Sequence, residues 1–122
     1  MEMLKFFKGI VDAEEGPVVI CNLDYRIIYI NPAADACYNK TCQIEGKLLE
    51  GLMNEEMLSK VRMSVEWFKE DSNNNRVFIF HDKKNNMDMY IYAIRDEEKN
   101  LLGFFGRHED RTPDPNKDIC FY

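Results

Sequence analysis

The sequence predicts an α+β fold: a five-stranded antiparallel sheet with short helices on one face and an amphipathic helix at the N-terminus. Three observations carry this. From Pro17 to Ala34, two short β-branched runs (Val18, Val19, Ile20 and Ile27, Ile28, Ile30) flank Asp24-Tyr25, where a tight connection is needed, so the stretch reads as a hairpin. Three more strand-like stretches, 76–81, 87–95 and 101–109, are separated by the polar turns 82–86 and 96–100. Between the two groups, Met57, Leu58, Val61, Val65 and Phe68 recur at spacings of three and four, the pattern of a helix lying on a sheet.

Composition narrows the function. A chain of 122 residues is long enough for one self-sufficient core. With 22 acidic against 16 basic residues the net charge is −6, which argues against a nucleic-acid phosphate backbone as partner. Apolar runs are only a few residues long, so no membrane span and no signal-peptide core are expected, and the sequence predicts a cytoplasmic protein. Cys21, Cys37, Cys42 and Cys120 fit neither a disulfide framework nor paired metal knuckles and are expected to be reduced.

Taken in order, Met3, Leu4, Phe6, Phe7, Ile10 and Val11 form the apolar stripe of the first helix, with Glu2, Lys5 and Lys8 between them. So short a helix is marginal alone, so its stripe is expected either to lid its own sheet or to contact a second chain. Asp12 to Gly16 connects it to the first hairpin. Asn31 is placed to cap a short helix over 33–38, with Pro32 at its first position, where the missing amide has no partner to lose. A loop follows over 39–43, then a short irregular piece from Ile44 to Met53 around Gly46 and Gly51. Asn54 caps the main helix, with Glu55 and Glu56 at the positive end of its dipole. Met63 and Trp67 form a second, displaced stripe. Asp71 to Asn75 closes the helix.

Strict alternation along the last three strands puts Val77, Ile79, Met87, Met89, Ile91, Ala93, Leu101, Gly103 and Phe105 under the helices. Phe78, Phe80, Tyr90, Tyr92, Leu102 and Phe104 then point outward with Asp88. That outer aromatic face is too large to leave wet, and Phe6, Phe7 and Ile10 of the same or a second chain are candidates to cover it.

The order strand, Leu23-Asp24 turn, strand and Asn31-Pro32-Ala33-Ala34 resembles the opening of a PAS domain. Ile44-Glu45-Gly46-Lys47, Ile94-Arg95-Asp96, Leu102-Gly103 and Asp110-Arg111-Thr112 are similar to later segments of that family, in the same order. The resemblance implies an N-terminal helix and connection over 1–16, a PAS domain over 17–112 and a tail over 113–122, where Pro113 and Pro115 predict poor order. It also implies sensing or signalling, with output through a separate signalling protein.

A flavin photosensor of this fold needs a cysteine just before the main helix, and Glu45 to Asn54 has none; Cys42 lies too early. A haem sensor needs an axial histidine, and Asn54 to Asp71 has none. Met53 could in principle ligate haem iron through its thioether but is read as core filler, so no cofactor and no metal are expected. His81 and His108 read as strand-end surface residues. No Ser-His-Asp order, phosphate loop or catalytic carboxylate pair stands out, so no enzyme is expected. What remains is the space between helix and sheet, with Met53, Met57, Val61, Val77, Ile79, Met87, Met89, Ile91 and Phe105 as its predicted wall. Those methionines either line a soft cavity for a small, mainly apolar ligand or fill the core. The expected function is ligand sensing relayed to a protein partner; the alternative is a cofactor-free dimerisation module with a filled core. A homodimer through the N-terminal helix and the outer face is expected in either case.

Overall fold

The computed structural model describes residues 2–40 and 42–112. The predicted tail over 113–122, with Cys120, lies outside them. The elements are α1 (Met3–Ala13), β1 (Val18–Asn22), β2 (Ile27–Ile30), α2 (Pro32–Tyr38), a single 3-10 turn (Leu49–Gly51), α3 (Glu55–Glu70), β3 (Arg76–Asp82), β4 (Met87–Arg95) and β5 (Leu101–Asp110). The strands form one five-stranded sheet in the order β2-β1-β5-β4-β3, every neighbouring pair antiparallel. The fold class is therefore the expected one.

Both asparagine caps form. The Asn31 side chain accepts from the Ala34 amide and that of Asn54 from the Met57 amide. Asn31 does more than cap a helix. Fully buried, it also accepts from the Val18 amide and donates to the Val11 and Gly16 carbonyls, so one side chain joins α1, β1 and α2. On α3, Leu58, Val61, Val65 and Phe68 are buried against the sheet, and burying Phe68 alone contributes about 2–3 kcal/mol. The far end of α3 is tied down by Arg95, whose guanidinium donates to the Phe68, Asp71 and Asn74 carbonyls. These include the carbonyls that a helix C-terminus leaves without intrahelical partners.

Strict alternation fails in two strands, for the same reason. In β5, Arg95 pairs with Leu101 but Ile94 pairs with Gly103, so Leu102 is an extra, unpaired residue. Beyond this bulge every side chain of β5 changes face. Phe104 is 2% exposed in the core, and Phe105 lies on the outer face, stacked on Tyr92 with centroids 5.0 Å apart. In β3, Phe78 pairs with Tyr90 and Phe80 with Met89, leaving Ile79 as the extra residue and turning Phe80 inward. The outward placement of Phe80 and Phe104 and the inward placement of Phe105 are thus corrected. The outer ladder consists of Phe78, Tyr90, Tyr92 and Phe105, with the Arg76 guanidinium 3.8 Å above the Tyr90 ring and the Tyr92 hydroxyl donating to Glu109.

The first helix does not lid this face. Its last turn is fixed by Tyr29 donating to Asp12, by Asn31 donating to the Val11 carbonyl and by an ion pair between Glu14 and Arg107. No residue of α1 is buried, and Leu4, Phe6, Phe7 and Ile10 are all more than half exposed. Of the two expectations for its apolar stripe, the covering of its own sheet is excluded.

Candidate functional site

Between α3 and the inner face of the sheet lies a cavity of about 370 Å³. Its floor is β-sheet: Val19 and Cys21 from β1, Ile79 and Phe80 from β3, Met89 and Ile91 from β4, and Phe104 from β5. Met57 and Val61 of α3 roof it. The segment between α2 and α3 closes the side with Ile44, Leu49, Leu52 and Met53, while Tyr38, Cys42 and Leu52, each exposed, frame a mouth.

Six of the nine predicted wall residues meet here: Met53, Met57, Val61, Ile79, Met89 and Ile91. Three do not. Val77 packs on the core but opens onto a shallow groove beside α3, Met87 sits half-buried at the start of β4, and the bulge at Leu102 carries Phe105 to the opposite face. Phe104 takes its place. Gly106 is a wall residue too, because a Cβ there would sit 2.8 Å from the Met89 methyl, so its missing side chain makes room for Met89.

Sequence reasoning missed the polar corner. Tyr38, at the end of α2, and His108, near the end of β5, bring their Oη and Nε2 atoms to 3.2 Å at the cavity mouth. Seventy positions separate them, so no local pattern signals the pair. His108 is half-buried rather than the surface residue expected. Burial lowers its pKa, against a smaller opposing effect of the Asp82 carboxylate, and favours a neutral ring. Tyr38 keeps 36% of its surface exposed, yet burial still pushes its hydroxyl up to about 12. Burial likewise pushes the Cys21 thiol up to about 12, so it stays protonated and acts as a small hydrophobe rather than a nucleophile.

The same architecture recurs in solved structures. A C-terminal domain from Streptococcus mutans superposes with a TM-score of 0.68 at 20% identity, covering 90% of this chain and 86% of that one. A PAS domain from Colwellia psychrerythraea matches with a TM-score of 0.64 at 19% identity, over 91% and 98% of the two chains. The chain has the PAS fold. A sensory box sensor histidine kinase from Vibrio cholerae is also similar, with a TM-score of 0.59 at 14% identity over 88% of this chain and 91% of that structure. No protein-family model and no curated protein matches the sequence.

Within this PAS fold, none of the cavity-lining residues among those described is Asp, Glu, Lys or Arg. The buried carboxylate of Asp88 lies on the outer face, away from the cavity. It is held by His81 at 2.7 Å and Arg111 at 3.0 Å, so His81 is exposed as expected but has an acidic partner. Among the described residues no cluster of three or more His, Cys, Asp or Glu is arranged to hold a metal, and no helix is long and apolar enough to cross a membrane. Cys21, Cys37 and Cys42 are free thiols.

Proposed function

We propose that the chain is a PAS-type sensory module that takes a small, mainly apolar molecule into the cavity under α3 and relays its presence to a protein partner. The observation that carries this reading is the 370 Å³ cavity itself, walled by aliphatic side chains and three methionines that can repack around an occupant. A sensor histidine kinase among the structural neighbours is in keeping with it. The relay runs through β5, where Phe104 touches the cavity and the next residue, Phe105, stacks on Tyr92 outside. An occupant that displaces Phe104 moves the outer ladder by the same backbone, and acts to the extent that it binds the two arrangements with different affinity. No prosthetic group enters this reading, and an absorption spectrum of the purified protein free of visible bands is the expected result.

The test is a thermal-shift screen of small apolar molecules against the wild type and Leu52→Trp, which places a bulky ring at the mouth. A saturable rise in Tm that the variant abolishes is expected. A rise that is unchanged in a folded Leu52→Trp variant contradicts the assignment.

A second reading rests on the exposed stripe of α1 and the outer aromatic ladder. Leu4, Phe6, Phe7 and Ile10 on α1, and Phe78 on the outer ladder, are each more than half exposed within one chain, and large apolar side chains grouped on one exposed face mark contact surfaces. This supports a homodimer through α1 and the outer face. Sedimentation reads it directly: a monomer at tens of micromolar contradicts it.

A further inference from the structure

From the arrangement at the cavity mouth we infer the ligand's chemical class: an uncharged apolar molecule of roughly a dozen heavy atoms bearing one hydroxyl group, which hydrogen-bonds to the Tyr38–His108 pair. The inference rests on the cavity being a ligand site and goes beyond it in naming what the site selects. The size follows from the 370 Å³ volume, taking roughly 30 Å³ for each water-sized group.

The absence of charge follows from the walls. Among the described residues no lining side chain carries a permanent charge, and His108, which titrates near neutral pH, is held toward its neutral form by burial. A ligand carboxylate would meet no fixed cation, while the negative Asp82 lies close enough to act on His108. Burying a charge without a partner is far more costly than burying a paired hydroxyl.

The hydroxyl follows from the valence of the pair. Tyr38 Oη and His108 Nε2 share one hydrogen bond at 3.2 Å. If Nε2 is the acceptor, the tyrosine oxygen is left with lone pairs for a ligand donor. If Nε2 carries the proton, the tyrosine O–H is left to donate to a ligand acceptor. A carbonyl or ether matches only the second state. A hydroxyl, both donor and acceptor, matches either. The rest of the cavity offers a hydrocarbon chain aliphatic, thioether and aromatic side chains and the thiol of Cys21, which burial keeps protonated.

The experiment measures the affinities of 1-nonanol, nonane and nonanoate for the full chain by titration of the methionine-methyl NMR signals, in wild type and in Tyr38→Phe/His108→Leu, which removes both hydrogen-bonding partners. Expected in wild type is nonanol binding about fivefold to tenfold more tightly than nonane, the worth of one hydrogen bond, with nonanoate weaker than both at pH 7.5. Tyr38→Phe/His108→Leu is expected to bring the ratio of nonanol to nonane affinity down to about one. Equal affinity of nonanol and nonane for the wild type overturns the hydroxyl but leaves the cavity reading intact. Nonanoate binding best overturns the uncharged class. A folded Tyr38→Phe/His108→Leu variant that prefers nonanol as strongly as wild type moves the head group away from this corner and overturns the assignment. Failure of all three probes to bind overturns both the inference and the cavity reading. The wild-type series alone decides the chemical class, whatever the stability of the variant.

Discussion

The two faces of the sheet are built from different materials. The inner face, toward α3, is largely aliphatic and thioether: Val19, Ile79, Met89 and Ile91 lie around an opening beside Phe80 and Phe104, with Gly106 leaving room for the Met89 methyl. The outer face is a ladder of rings locked by direction-dependent contacts, with Tyr92 stacked on Phe105 at 10° and Arg76 lying over Tyr90. Methionine repacks at little cost, whereas a stacked ring pair has one good geometry. The side that can adapt is enclosed and the side with a fixed pattern is displayed, which suits a module that accepts a variable occupant and presents a two-state surface.

The largest expected effect separates adjacent phenylalanines. Phe104→Ala removes a ring from the core and is expected to cost about 4 kcal/mol in urea unfolding. Phe105→Ala loses one stacked, half-buried ring and is expected to cost about 1 kcal/mol. Equal costs would undo the assignment of the two to opposite faces.

Two glycines of β5 offer the next contrast. A Cβ at Gly103 would collide with the Cys21 carbonyl of the neighbouring strand, which cannot move independently, so Gly103→Ala is expected to cost about 3 kcal/mol. A Cβ at Gly106 meets only the flexible end of Met89, which can turn into the cavity. Gly106→Ala is therefore expected to stay within about 0.5 kcal/mol of wild type while reducing the Tm rise given by any cavity ligand.

On the displayed side, Phe7→Asp in α1 is expected to abolish self-association in sedimentation without lowering Tm at low protein concentration, because Phe7 is 57% exposed within one chain. A fall in Tm of the dilute protein would mean that α1 packs on its own sheet after all.

The smallest effect is a pH dependence from the cavity mouth. The groups acting on His108 are the surrounding protein, which lowers its pKa, and the Asp82 carboxylate, which raises it; Tyr38, its hydrogen-bond partner, stays protonated. Because the folded-state value lies below the ordinary 6.5, the protein at low pH must either charge a half-buried ring or unfold. His108 therefore contributes stability that is fully present above about pH 6.5 and is lost as the pH falls through the lower folded-state value. Tm is expected to decline below pH 6.5 more steeply in wild type than in His108→Asn, and identical profiles would remove His108 from the account.

What was legible in the sequence was what local chemistry controls. The asparagine caps at 31 and 54, the buried stripe of α3 and all five strands follow from spacing and capping, and each is where it was expected. What was not legible is what depends on the neighbouring strand. A period-two count cannot register an unpaired residue, so Leu102 and Ile79 each shifted the count by one and placed Phe105, Phe104 and Phe80 on the wrong face. Glycines at 103 and 106 were the available warning, since glycine inside a strand often marks a bulge or a close backbone approach. The Tyr38–His108 corner had no warning at all, because only the finished topology brings the end of α2 to the end of β5.

Methionine-methyl NMR under xenon pressure tests the central claim most directly, because xenon enters apolar cavities without hydrogen bonding. The expected result is a saturable shift of the Met53, Met57 and Met89 methyls, with Met63 and Met3 on the surface unmoved. A spectrum in which the three inner methyls stay fixed, or in which all methionines move alike, contradicts a cavity beneath α3.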